Sequence, residues 1–119
     1  MIAVNLRNRL RRIEVNGDGI ETLRMKQSRF VRMVILLLLY IDSKGLKMSF
    51  GDAWAHDGHM DNSLHYIRLA IDLNFFRDGE YLTDKDYQDA GEYWESIGGS
   101  WGGRFKDACH FSLSYQGRK

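Results

Sequence analysis

The chain has no proline and a single cysteine, Cys109. One cysteine cannot close an internal disulfide, so the fold does not depend on oxidation. No run of about 20 apolar residues exists, which excludes an ordinary helical membrane span. The start has no long apolar stretch of the kind a secretory signal carries. The longest apolar run is nine residues, Met33–Ile41, and it reads as a buried helix. There is no internal repeat, linker or low-complexity segment.

What is there is enough for one packed domain. The 119 residues are 44% hydrophobic and 13% aromatic, too apolar for disorder and too short for two units. The expectation is a single domain, 1–119, in which 1–20 is a basic extension or a first helix. Charge is unevenly spread. Residues 1–32 hold eight basic and three acidic side chains, and residues 51–100 hold three basic and eleven acidic ones. An acidic middle suits a cation, although solvated loops and helix faces account for most such carboxylates. Residues 1–12 carry Arg7, Arg9, Arg11 and Arg12 and no acid, which fits attraction to an anionic surface. Ile2, Leu6, Leu10 and Ile13 fit equally a helix packed on the core. The stretch 15–21 contains Asp18-Gly19 but lacks the later glutamate of a calcium loop, so it reads as a turn.

Hydrophobic spacing predicts a helix from about Glu21 to Ser43, with Leu23, Phe30, Val34, Leu37, Leu38 and Ile41 at helical intervals. Lys44-Gly45 ends it. Leu46, Met48 and Phe50 alternate with Lys47, Ser49 and Gly51, which predicts a half-buried strand. Residues 55–62 read as a polar loop. Ile67, Leu69, Ile71 and Leu73 alternate into a second strand, and Asp78-Gly79 marks a turn. Thr83 caps a helix running to about Ile97. Phe111, Leu113 and Tyr115 alternate with His110, Ser112 and Ser114 in a third strand. Short antiparallel strands with two helices make an α+β domain.

Three side chains stand out in this frame. Asp72 and His110 lie on the polar phases of their strands. His65 stands at the start of the second strand, an odd number of positions from Asp72. On a regular strand the two would face opposite ways, so a shared site requires His65 in a loop or bend. Two imidazoles and a carboxylate suit zinc, and three protein ligands leave a fourth position open. Asp107 offers a carboxylate beside His110. His56 and His59 read as surface histidines, Cys109 as a reduced, buried thiol, and Trp54 and Tyr66 as packing aromatics.

The blocks Ser63-x-His65, Ala70-x-Asp72 and Trp101-Gly102-Gly103-x-Phe105-x-Asp107-x-x-His110-Phe111, in this order, resemble the M15 metallopeptidases. That family includes D-Ala-D-Ala carboxypeptidases, vancomycin-resistance dipeptidases and the L-alanyl-D-glutamate endopeptidases of phage endolysins. The resemblance covers about Arg24 to Tyr115. "HYIRLAIDLNFF" and "WGGRF" look most like the compact phage members. It implies a small antiparallel sheet with flanking helices, a fold shared with Hedgehog signalling domains. It implies zinc on His65, Asp72 and His110, and Asp107 as catalytic base. It implies that Ser63 supports the histidine loop and that Trp101 and Phe105 wall the substrate cleft. The expected activity is hydrolysis of peptidoglycan stem peptides, with an inactive zinc-stabilised wall-binding or structural phage module as the rival. Two departures matter. Arg68 stands where many members have glycine, and Asp52, Trp54 and Ala55 occupy a stretch where many have an arginine. Arg68 or Arg104 is the available replacement, and Arg68 is expected to contact the substrate. No nucleic-acid partner is expected, and the domain is expected to be a monomer. It would be made in the cytoplasm and act at the bacterial wall after release, or as part of a phage particle.

Overall fold

The structure is a computed structural model, and it describes residues 21–53, 55, 57–60 and 62–119. The expectations for the first 20 residues, Trp54 and His56 lie outside the described residues.

Helix α1 spans Leu23–Ser43. Thr22 caps it, its hydroxyl accepting from the Met25 amide at 3.1 Å. One face buries Phe30, Met33, Leu36, Leu37 and Ile41. Each such burial is worth about 1.5–3 kcal/mol. The nine-residue apolar run is therefore only partly buried, since Ile35 and Leu39 are exposed. Among the described residues no helix is long and apolar enough to cross a membrane. Lys44 and Gly45, at φ +78°, end the helix as expected.

Among the described residues five strands follow: β1 (Lys47–Phe50), β2 (Ala70–Arg77), β3 (Glu80–Tyr81), β4 (Ser100–Trp101) and β5 (His110–Ser112). They form one antiparallel sheet in the order β1-β2-β5-β4, with β3 also on β2. Thr83 opens a 3₁₀ turn, Asp84–Tyr87, which continues into helix α2, Gln88–Ser96. The fold is α+β, as expected. Asp78 and Gly79 both take positive φ, 54° and 79°, and join β2 to β3 in a hairpin. Strand β1 differs from expectation: Phe50 is exposed. In β5 both phases are buried, Ser112 included.

The core sits where both helices meet β2 and β5. Trp94 of α2 is fully buried, edge-on to Phe30 and Phe111, and its indole N–H donates to the Ser112 carbonyl at 2.9 Å. Tyr87 stacks on Phe75 and its hydroxyl accepts from the Phe75 amide at 3.0 Å. Strand alternation then fixes the other face. Ile71, Leu73, Phe75 and Phe111 point into this core, so Asp72 and His110 point away from it.

Candidate metal centre

Register brings two of the three predicted residues together. Asp72 is paired with His110 across β2 and β5, so their side chains leave the same face side by side. The backbone of Asp72 is held from the other side as well. Its N–H donates to the Asp52 carbonyl at 2.7 Å, and its carbonyl accepts from Gly51 at 2.8 Å. A side chain at Gly51 would crowd the Asp72 Cβ at 3.0 Å.

His65 arrives by another route. It lies in a 3₁₀ turn, Leu64–Ile67, not on β2. Ser63 starts this turn and its hydroxyl accepts from the His65 amide at 3.1 Å. Arg68 stops it in the left-handed region at φ 60°. The odd spacing from Asp72 is thereby harmless, because the chain turns before the strand begins. The left-handed geometry also gives a physical reason for a glycine at position 68.

Both imidazoles converge on one oxygen. His65 Nε2 lies 3.2 Å, and His110 Nδ1 3.3 Å, from Asp72 Oδ1. The histidines are buried, at 2% and 6% exposure. Among the described residues, that oxygen and the distal nitrogens, His65 Nδ1 and His110 Nε2, have no hydrogen-bond partner. The contacts are close without being aligned for hydrogen bonds. Burial pushes the Asp72 carboxyl upward, but the adjacent His110 and His65 imidazoles outweigh it and hold its pKa at about 2. An ionised carboxylate facing two buried imidazoles is the nitrogen and oxygen donor set that a divalent ion such as zinc takes. Without an ion between the imidazoles, that Asp72 oxygen would be buried without a partner, at a cost. The residues fit the metal.

Asp107 stands at the rim. Its side chain is half exposed, with Oδ2 3.9 Å from His110 Nδ1. A turn positions it: the Asp107 amide donates to Gly102, and its carbonyl accepts from His110. A side chain on Gly102 would collide with that Asp107 carbonyl and with His110 Cβ. Cys109 is half-buried, not fully buried as expected. Burial, then the charges of Asp72 and Asp107, push its thiol up to about 12. It stays protonated at neutral pH and its sulfur lies 3.6 Å from Asp107 Oδ1 as a donor.

His65, Asp72, Asp107 and His110 line a cleft of about 530 Å³ with Ser63, His59, Phe105 and Arg118 among its walls. Phe105 is partly exposed and edge-on to His110 at 5.7 Å. Trp101 does not face this cleft. It is buried, and its indole N–H donates to the Ala108 carbonyl at 2.8 Å, holding the segment that carries Asp107. Arg68 does not line the cleft either. Arg104 is engaged elsewhere by Glu95, through bonds of 3.0 and 2.7 Å.

His59 is more than a surface histidine. Its ring stacks on His65 at 4.1 Å, and its Nε2 lies 2.7 Å from Asp52 Oδ2. The Tyr66 hydroxyl accepts from the His59 amide and donates to its carbonyl, at 2.7 and 2.8 Å. His59, His65 and Asp72 place donor atoms within 4.8 Å of one another, and so do Asp72, Asp107 and His110. Asp72 is common to both groups. Nothing in the spacing of the motif points to His59, because a tyrosine hydroxyl and an aspartate from the β1 end fix it.

Comparison with known proteins agrees with this geometry. No curated protein matches the chain. The family model described as D-alanyl-D-alanine carboxypeptidase matches residues 56–113. That span includes His65, Asp72, Asp107 and His110, and over it the chain is similar to the M15 family of peptidases.

Proposed function

We propose that the cleft is a zinc-dependent hydrolytic centre for peptidoglycan stem peptides, of the endolysin type. The observation that carries the reading is the meeting of two buried imidazoles on one Asp72 oxygen, with a half-exposed carboxylate at the rim. His65, Asp72 and His110 would hold the metal. Bound there, zinc would make water a nucleophile near neutral pH and polarise the scissile carbonyl.

The chain's own residues do the rest. Asp107 reaches both solvent and the cluster, so it takes a proton from the attacking water and returns it to the leaving amine. The Cys109 thiol donates to the other Asp107 oxygen and leaves Oδ2 free for that transfer. Phe105 supplies an apolar wall that excludes bulk water from His110. Ser63 keeps His65 in its turn. The enzyme would act at the bacterial wall, after release from the cell or on a phage particle.

The test is digestion of purified peptidoglycan followed by mass spectrometry, with and without chelator, alongside metal analysis of the protein. New stem-peptide ends that vanish on chelation and return with zinc are expected. One zinc per chain with no new ends would instead identify a zinc-stabilised binding module.

A further inference from the structure

Arg118 stands in the wall of the cleft, outside every motif block. A tight hairpin positions it. Tyr115 and Arg118 exchange both backbone hydrogen bonds, each 2.9 Å. Gln116 and Gly117 between them take positive φ, 48° and 80°, the pattern of a two-residue hairpin turn. The side chain is half-buried. One guanidinium nitrogen lies 3.4 Å from the Asn62 carbonyl, itself part of the cleft wall. The group also lies 5.7 Å over the Tyr115 ring.

Both neighbours are neutral. Among the described residues no carboxylate pairs with Arg118, whereas Arg29 is closed by Glu21 and Arg104 by Glu95. A guanidinium has five N–H donors in a planar fork that matches a carboxylate. Held only by a carbonyl and a ring, Arg118 keeps most of those donors for a ligand. Lys119 lines the same wall and adds positive charge.

We propose that Arg118 is a specificity-determining residue that binds a carboxylate of the substrate near the scissile bond. This rests on the peptidase reading of the cleft. Two sources share the chemistry: the C-terminal carboxylate of a peptide, and the free α-carboxyl of a γ-linked glutamate inside one. The first would make the enzyme trim ends, and the second would make it cut within the stem.

Two peptide pairs separate the sources. One pair carries a C-terminal carboxylate or its amide. The other carries a γ-linked glutamate with its α-carboxyl free or amidated. Zinc-loaded full chain is expected to cleave the acid of one pair about tenfold more efficiently than its amide, chiefly through KM, as a charge-assisted bond would give. Arg118→Gln should bring that ratio close to one, and Arg118→Lys should restore part of it. The same four peptides are also titrated into the purified full chain by NMR, where the acid should bind about tenfold more tightly than its amide only when Arg118 is present. Equal handling of acid and amide by the wild type, or an unchanged ratio in Arg118→Gln, overturns the proposal. Acid-selective binding that needs Arg118, with no peptide cleaved, would sustain the carboxylate site and sink the peptidase reading.

Discussion

Asp107 and His110 are three residues apart, and losing each should have a different consequence. Asp107→Ala removes the rim carboxylate and leaves the converging donors untouched. Zinc content should stay near the wild-type level while kcat falls by about 10²–10⁴. His110→Ala removes a donor from the cluster. It should lose the metal and, with it, the folding free energy that binding contributes. Metal analysis and thermal melts on both variants distinguish the roles, and zinc-replete, fully active variants would refute them. Backbone strain gives a third test. Arg68 holds a left-handed conformation that costs a side-chain-bearing residue about 1–2 kcal/mol. Arg68→Gly should therefore be about 1 kcal/mol more stable to urea than Arg68→Ala, since both remove the side chain and only one relieves the strain. Asp72 and His110 were legible because strand alternation alone puts them on the polar face. His65 was legible only through the motif, since a 3₁₀ turn leaves no period in four residues. His59 and Arg118 were not singled out, because Asp52 and Tyr66 reach His59, and Asn62 reaches Arg118, only in the fold.

At the scale of elements, the site depends on parts that do not touch it. Trp101 sits on β4, faces the core, and carries the Asp107 segment through one bond to Ala108. Trp101→Phe keeps most of the ring and leaves that buried carbonyl unpaired. It should cost about 1–3 kcal/mol in stability, read from denaturant unfolding. It should also lower kcat more than zinc affinity, because Asp107 moves and the register of β2 with β5 does not. The sequence showed β2 in part: Ile71 and Leu73 alternate on it as expected, but Ile67 falls in the 3₁₀ turn and the strand starts only at Ala70. It did not show β3 or β4. A two-residue strand has no period, and its partner strand defines it. The exposed Phe50 was hidden in the same way: alternation tells which residues share a face, not whether that face is covered.

For the whole molecule, metal and fold should be linked. An ion bound only by the folded chain stabilises it by RT ln(1 + [L]/Kd), about 2.7 kcal/mol at a hundredfold excess over Kd. Zinc should raise Tm in a concentration-dependent way, and chelator should lower it. Protons compete for the imidazole nitrogens, so acidification should release zinc and reduce the shift. Melting curves across pH, with and without zinc, check both the existence and the sign of this coupling; a Tm indifferent to zinc would count against the site.

The pairing of Asp72 with His110 has a consequence for how the protein is made. Everything from β3 to β4, including α2, lies between them in the chain. A ribosome that has released Asp72 and His65 has not yet produced the third donor. Closing β5 onto β2 is a long-range step, slow compared with helix formation. The growing chain would thus hold an incomplete donor set through most of its synthesis, and metal capture would be one of its last acts. Zinc uptake by a refolding chain should accordingly lag behind the helical signal and coincide with sheet closure.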